Sequence, residues 1–252
     1  MRNIRVIARL DVKGPDVINT IQLEGLRRVG SPNELAKNYY NQGADELLII
    51  DQVASLYQRD HLIKLIKIFT KEIFIPITVG GGIKSVDDAR QLLRSGADKV
   101  AINTASVSDP NLINQLSKEF GKQCVVISIP CKLVENKIWE VFTNGGRDKT
   151  GLDVFEWAQK VVSLGAGELL VTSIDNDGLR KGFDLSLAQK FNEIEDIPII
   201  FSGGLGSPRH VSDLLSVSNC EAIAMADYLH MKRGNIKELK KIILESNFNV
   251  RL

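Results

Sequence analysis

A single (β/α)8 barrel is the fold this sequence predicts, and three observations predict it: length, the alternation of short apolar runs with amphipathic segments, and an internal repeat. The 252 residues suit one such barrel, for which about 250 residues is typical. A chain of this size buries roughly three quarters of the surface that it exposes when unfolded. An open doubly wound sheet is the competing architecture, but eight regular units in this length favour closure.

The expected strands are Ile4–Leu10, Glu46–Ile50, Ile75–Val79, Lys99–Ile102, Cys124–Ile129, Glu168–Ser173, Ile197–Ser202 and Glu221–Met225. Each is strand length, rich in Val and Ile, and apolar on both faces, as a parallel sheet covered on both sides requires. Helix punctuation lies between them. Ser31-Pro32-Asn33-Glu34 reads as a capping box with Pro at the first helical position, and Ser85-Val86-Asp87-Asp88 repeats the cap ahead of a helix that stops at Gly96. Asp109-Pro110 opens a helix ending at Gly121, Leu152–Leu164 is amphipathic and closes at Gly165, and Asn235-Ile236-Lys237-Glu238 caps Ile236–Ser246.

The repeat supplies the third observation. GADELLIID (Gly43–Asp51) recurs as GAGELLVTS (Gly165–Ser173), and IPITVGGGI (Ile75–Ile83) as IPIIFSGGL (Ile197–Leu205), both at an offset of 122 residues (Gly43 to Gly165). LDVK (Leu10–Lys13) aligns with IPCK (Ile129–Lys132) at nearly the same offset. One domain, residues 1–252, built from half-barrels of about 1–122 and 123–252, is the expectation.

Composition narrows the function classes. Lys+Arg number 32 against 31 Asp+Glu, a formal net charge of +1, with both signs scattered. That disfavours a nucleic-acid or membrane-surface binder. The longest apolar stretches are strand-sized, so no membrane span is expected. The N-terminal stretch MRNIRVIARLDVK carries charge inside its apolar run, unlike a signal peptide. Cys124, Cys131 and Cys220 are odd in number and lack CxxC spacing, which disfavours a disulfide framework or a zinc site. We expect a cytoplasmic protein with no metal and no cofactor.

The chemistry-bearing motifs fall at strand ends. Gly80-Gly81-Gly82 follows the third strand and Gly203-Gly204 the seventh, at the face where βα loops gather in such barrels. Glycine there lets backbone N–H groups approach an anion closely. Asn103-Thr104 and Asp177-Gly178 add polar donors and a second tight turn. The plain reading is turns; two symmetry-related clusters favour a ligand with a phosphate at each end. Asp11 ends the first strand, placed for acid/base work, with a salt bridge to Lys13 or a helix cap as the competing role. Asp51 ends the second. At the opposite face Arg5, Glu46, Lys99 and Glu168 sit at strand starts, where two cations and two anions pointing inward must pair. They form either a stabilising layer or a charged ring across the axis. His61, His210 and His230 have no ligand spacing; His61 and His230 read as surface residues, and Trp139 and Trp157 as packing residues.

Together LDVK, DELLIID (Asp45–Asp51), TVGGGI (Thr78–Ile83), GADKVAINT (Gly96–Thr104), TSIDNDG (Thr172–Gly178), SGG (Ser202–Gly204) and NVRL (Asn249–Leu252) make the chain resemble, over essentially its whole length, the HisF family, the cyclase subunits of imidazole glycerol phosphate synthase. The resemblance implies a half-barrel duplication that binds a bisphosphate at its top and receives ammonia through the barrel from a HisH-type glutaminase docked at its bottom. It assigns phosphate contacts to Gly82, Asn103, Thr104, Asp177, Gly178, Gly203 and Gly204. It assigns an ammonia gate to Arg5, Glu46, Lys99 and Glu168, and a glutaminase surface to Asp98 and Gln123. The acid/base pair would be Asp11 and a second Asp at the end of the fifth strand.

The chain departs from that family at three places. The pattern near AIDAKRV is SIPCKLV here, with Pro130 where the second Asp belongs, and proline has no proton to exchange. GPDVINTIQL replaces DGRVVKGTNF after LDVK, so Asn19 stands for a loop lysine, and Ala226 replaces a serine. The expectation is a HisF-like paralogue that accepts ammonia and uses it elsewhere. Such pairs are associated, through the resemblance, with sugar amidation in surface-polysaccharide synthesis by a separate ATP-dependent amidotransferase. The alternatives are an authentic cyclase of histidine biosynthesis and a non-catalytic scaffold that binds phosphorylated metabolites.

Overall fold

A computed structural model describes residues 3–52, 60–135, 137–194 and 197–251. β1 (Arg5–Lys13) runs into an antiparallel hairpin, β2 (Asp16–Ile21) and β3 (Glu24–Gly30), followed by α1 (Pro32–Asn41). Then come β4 (Glu46–Asp51), α2 (Asp60–Phe69), β5 (Ile77–Gly80), α3 (Val86–Arg94), β6 (Lys99–Ile102), α4 (Thr104–Ser108) and α5 (Asn111–Phe120). β7 (Val125–Glu135) runs into a second hairpin, β8 (Ile138–Thr143) and β9 (Asp148–Asp153), followed by α6 (Val154–Ser163). The chain ends with β10 (Glu168–Ser173), α7 (Leu185–Lys190), β11 (Ile199–Ser202), α8 (Arg209–Val217), β12 (Ala222–Met225), α9 (Asp227–His230) and α10 (Ile236–Glu245).

Eight parallel strands close in the order β10-β11-β12-β1-β4-β5-β6-β7, and the β7–β10 pairing completes the ring. Two of the expected strands, Lys99–Ile102 and Glu168–Ser173, match the observed bounds. The hairpins β2–β3 and β8–β9 extend β1 and β7 beyond the barrel and were not expected as strands. β3 and β9 are largely polar and both hairpins carry register shifts, so β8 (IWEVFT) offered the clearest strand-like run there, which the expected strands do not include.

Side chains alternate in and out along each strand. Ile7, Leu48, Ala101, Val126, Leu170, Ile200, Ala222 and Ala224 form the apolar layer inside the barrel. A larger core lies between the strands and the helices. Ile7 therefore sets the register on β1: Arg5 lies one inward step below it, Arg9 and Asp11 above it.

The caps are mostly as read. Ser85 accepts from the Asp88 N–H, and Asn235 and Glu238 form a reciprocal capping box. Ser31 occupies the cap of α1 with Pro32 behind it but makes no side-chain bond, so that capping box is not formed. His230 is not a surface residue: it is 7% exposed and shares a 2.7 Å hydrogen bond with the Tyr39 hydroxyl. Burial holds its pKa down at about 4. Trp139 and Trp157 are buried packing residues, and no disulfide joins the three cysteines. The side chain of His61 lies outside the described residues. Among the described residues no helix is long and apolar enough to cross a membrane.

Candidate functional site

The bottom of the barrel is closed by charge. Arg5, Glu46, Lys99 and Glu168 begin β1, β4, β6 and β10 and point inward, where burial forces opposite signs together. Arg5 Nη1 lies 2.8 Å from Glu46, and its Nη2 contacts Glu168. Lys99 Nζ lies 3.0 Å from Glu46 and 2.8 Å from Glu168. Each carboxylate thus holds two cations and each cation two carboxylates, an alternating ring. Thr78 from β5 donates a further bond to Glu46. Asp98 and Gln123 are exposed next to strand starts; Asp98 accepts the Ile77 N–H and Gln123 donates to the Phe120 carbonyl.

At the top, Asp11 is buried and already partnered. Its competing partner from sequence was Lys13; the structure gives it Arg9, two residues back on the same inward face. Arg9 Nε and Nη2 each donate to Asp11 Oδ1 at 3.1 Å, and Gln52 donates to the same oxygen at 2.8 Å. Arg9 Nη1 reaches across to the hydroxyls of Thr172 on β10 (3.4 Å) and Ser202 on β11 (3.3 Å). Neither Arg9 nor Gln52 was singled out from sequence. The available signal was a second arginine in Ile4–Leu10, near its end and two residues before Asp11.

Pro130 sits in β7 opposite Thr172 of β10. A proline in a barrel strand forfeits a ladder hydrogen bond unless its nitrogen faces an unpaired side. The β6–β7 ladder ends at Ile102 and Ile127, and beyond it the Ser128 carbonyl accepts from the Asn103 side chain at 3.1 Å. Pro130 therefore lies past the last β6 partner, where the missing N–H costs no ladder bond.

Asp177, Gly178, Gly203 and Gly204 come together around a small cleft that Asn19 and Asp227 also line. Gly203 and Gly204 have φ of 97° and 104°, and a Cβ on Gly204 would run into the Gly182 carbonyl. The β2–β3 hairpin folds over this side. Gln22 N–H donates to the Asp177 carbonyl at 2.9 Å, while Thr20 and the Leu23 N–H donate to its carboxylate at 3.3 Å each. Burial lifts the Asp177 pKa to about 6, against the pull of nearby Arg9 and with the push of Asp11. Asn19 donates to Asp227 at 3.1 Å, Arg180 at 2.9 Å and Arg233 at 3.2 Å. Burial opposes ionisation of Asp227, but bonds and charge from Arg180, with bonds from Arg233 and Asn19, hold its pKa below the usual value.

Gly82, Asn103 and Thr104 lie across the mouth, after β5 and at the end of β6. Here the side chains are committed to structure. Asn103 donates to the carbonyls of Ser128 and Phe142, both at 3.1 Å, and Thr104 accepts the Asn144 N–H at 3.0 Å. They pin the β8–β9 hairpin.

Comparison with known proteins accords with this architecture. The family described as histidine biosynthesis protein matches residues 5–235. The imidazole glycerol phosphate synthase subunit HisF of Legionella pneumophila is 57% identical over 206 residues, covering 82% of this chain and 97% of the relative. The protein of the same name from Prochlorococcus marinus (strain AS9601) is 44% identical over 250 residues, 98% of each chain. With a closed eight-stranded barrel underneath and identity of this extent running through it, the chain belongs to the HisF family.

Proposed function

We propose that this chain is an ammonia-channelling subunit of a glutamine amidotransferase complex. A HisH-like glutaminase docks at the charged ring near Asp98 and Gln123, and ammonia rises along the barrel. A phosphorylated ligand binds above, against Gly82, Asn103 and Thr104 on one side and Asp177, Gly178, Gly203 and Gly204 on the other. The ammonia serves amidation of a sugar for surface polysaccharide by a separate ATP-dependent amidotransferase, and the site of action is cytoplasmic. Two half-barrels, about 1–122 and 123–252, underlie the barrel; that each half carries a hairpin after its first strand supports this.

The observation that supports the reading is the contrast between the two ends. The ring is fully paired, whereas Asp11 bonds to Arg9 and Gln52, and Pro130 stands where the resemblance places a second acid. Losing a positioned acid/base group costs about 10²–10⁴ in rate. Copurification with a glutaminase and stimulated glutamine hydrolysis are the expected results; no complex at micromolar concentration rejects the reading.

A second reading, an authentic cyclase, is favoured by the names of the relatives quoted above. Turnover of the family's bisphosphate substrate with free ammonium separates the two. A rate equal to buffer supports the channelling subunit, and turnover supports the cyclase.

A further inference from the structure

We propose that Arg9 is a specificity-determining residue, an interior cation that takes Asp11 out of ring-closing chemistry on a bisphosphate. The proposal rests on the channelling reading above and names the residue that enforces it. Pro130 removes one acid; Arg9 acts on the one that is left.

The geometry is that of a tether along one side of the barrel interior. Arg9 lies one inward step above Ile7, so its side chain sits directly over the apolar layer of Leu48, Ala101, Leu170 and Ala224. Its guanidinium forks onto the Asp11 carboxylate, with Nε 3.1 Å from Oδ2 as well as from Oδ1. The remaining arm passes β12 and bonds β10 and β11 through Thr172 and Ser202. The side chain thus ties β1 to β10 and β11 along one arc of the wall, between the apolar layer and the mouth, and leaves the β4–β7 side of the interior without a hydrogen bond from it among the described residues. Asp11 Oδ1 already carries three donors, two from Arg9 and one from Gln52.

A carboxylate held by a forked, buried guanidinium is a structural anion. To exchange a proton with a ligand it would have to give up charge-assisted bonds and leave Arg9 buried without a counter-ion, which is strongly unfavourable. Substituting an acid at Pro130 therefore restores only one partner of a pair whose other member stays occupied.

The test is a double-mutant cycle in the full-length protein: wild type, Pro130→Asp, Arg9→Ala, and Arg9→Ala with Pro130→Asp. Each is assayed for turnover of the bisphosphate substrate with free ammonium. The Pro130→Asp gain is expected to be about 100-fold larger in the Arg9→Ala background, the worth of one positioned acid/base group. The gain should fall in kcat, with a pH profile that acquires a limb absent from the single variants. Because Arg9→Ala leaves a buried carboxylate, the cycle is repeated with Arg9→Gln, which keeps donors for Thr172 and Ser202, and folding is checked by thermal melts. Equal gains in the two backgrounds, or folded Arg9→Ala and Arg9→Gln double variants no faster than Pro130→Asp, overturn the proposal. Turnover by the wild type overturns the channelling reading and this proposal with it, so the two failures are told apart.

Discussion

Replacing Lys99 by methionine tests whether the four charges at the barrel bottom act as one unit. Lys99 contacts both carboxylates, at 3.0 and 3.2 Å to Glu46 and 2.8 Å to Glu168. Its loss changes a neutral ring into one of net negative charge, with Arg5 alone between two carboxylates whose side chains are 2% and 6% exposed. Removing one partner of a buried pair costs about 3–5 kcal/mol. Lys99 is itself 19% exposed, which places the loss at the lower end, about 3 kcal/mol. For a domain of this size that is a fall in Tm of about 6–12 °C. Glu168→Gln added to Lys99→Met restores neutrality, so the double variant should lose less than the sum of the singles, by about 1–3 kcal/mol. Urea melts followed by circular dichroism measure all four proteins. If Lys99→Met lies within 1 kcal/mol of wild type, or the double variant loses the full sum, the ring argument is refuted.

Three further outcomes follow from the same structure. Asp177 has its pKa raised to about 6 by burial, so the folded state binds more protons than the unfolded one between about pH 4 and 6 and the group's contribution to stability falls as pH rises through that window. Asp177→Asn should therefore raise Tm at pH 7.5 but not at pH 4, and an equal shift at both pH values contradicts this. Gly204→Ala drives a Cβ into the Gly182 carbonyl at positive φ, so binding of inorganic phosphate, read by calorimetry, should be lost, whereas unchanged affinity would remove Gly204 from the anion site. Lys240→Met strips the 2.7 Å partner from buried Asp45, whose other oxygen accepts the Val6 N–H. A loss of about 3–5 kcal/mol is expected in chemical denaturation, and a loss under 1 kcal/mol rejects it.

The sequence by itself determined the barrel and the two ends of its axis. Strands buried on both faces must be apolar throughout, and a charge at an inward strand start must find a partner, so Glu46, Lys99 and Glu168 stand out by residue type and position alone. The glycine turns were equally legible, because positive φ at Gly203 and Gly204 restricts the residue type. The hairpins after β1 and β7 were not legible: their strands gain stability from pairing with a barrel strand continued past the rim, and pattern on the chain does not record that. Nor was the burial of His230, which depends on Tyr39, 191 positions away in the chain. Arg9 is the clearest case. Its charge was visible in the first apolar run, but its partners are Asp11, two residues along one face, and Thr172 and Ser202, set beside it by the β10-β11-β12-β1 order. A linear sequence carries residue types and spacing; only the closed sheet decides which inward side chains share a layer, and at this barrel's mouth that layer decides whether Asp11 is an acid or one half of an ion pair.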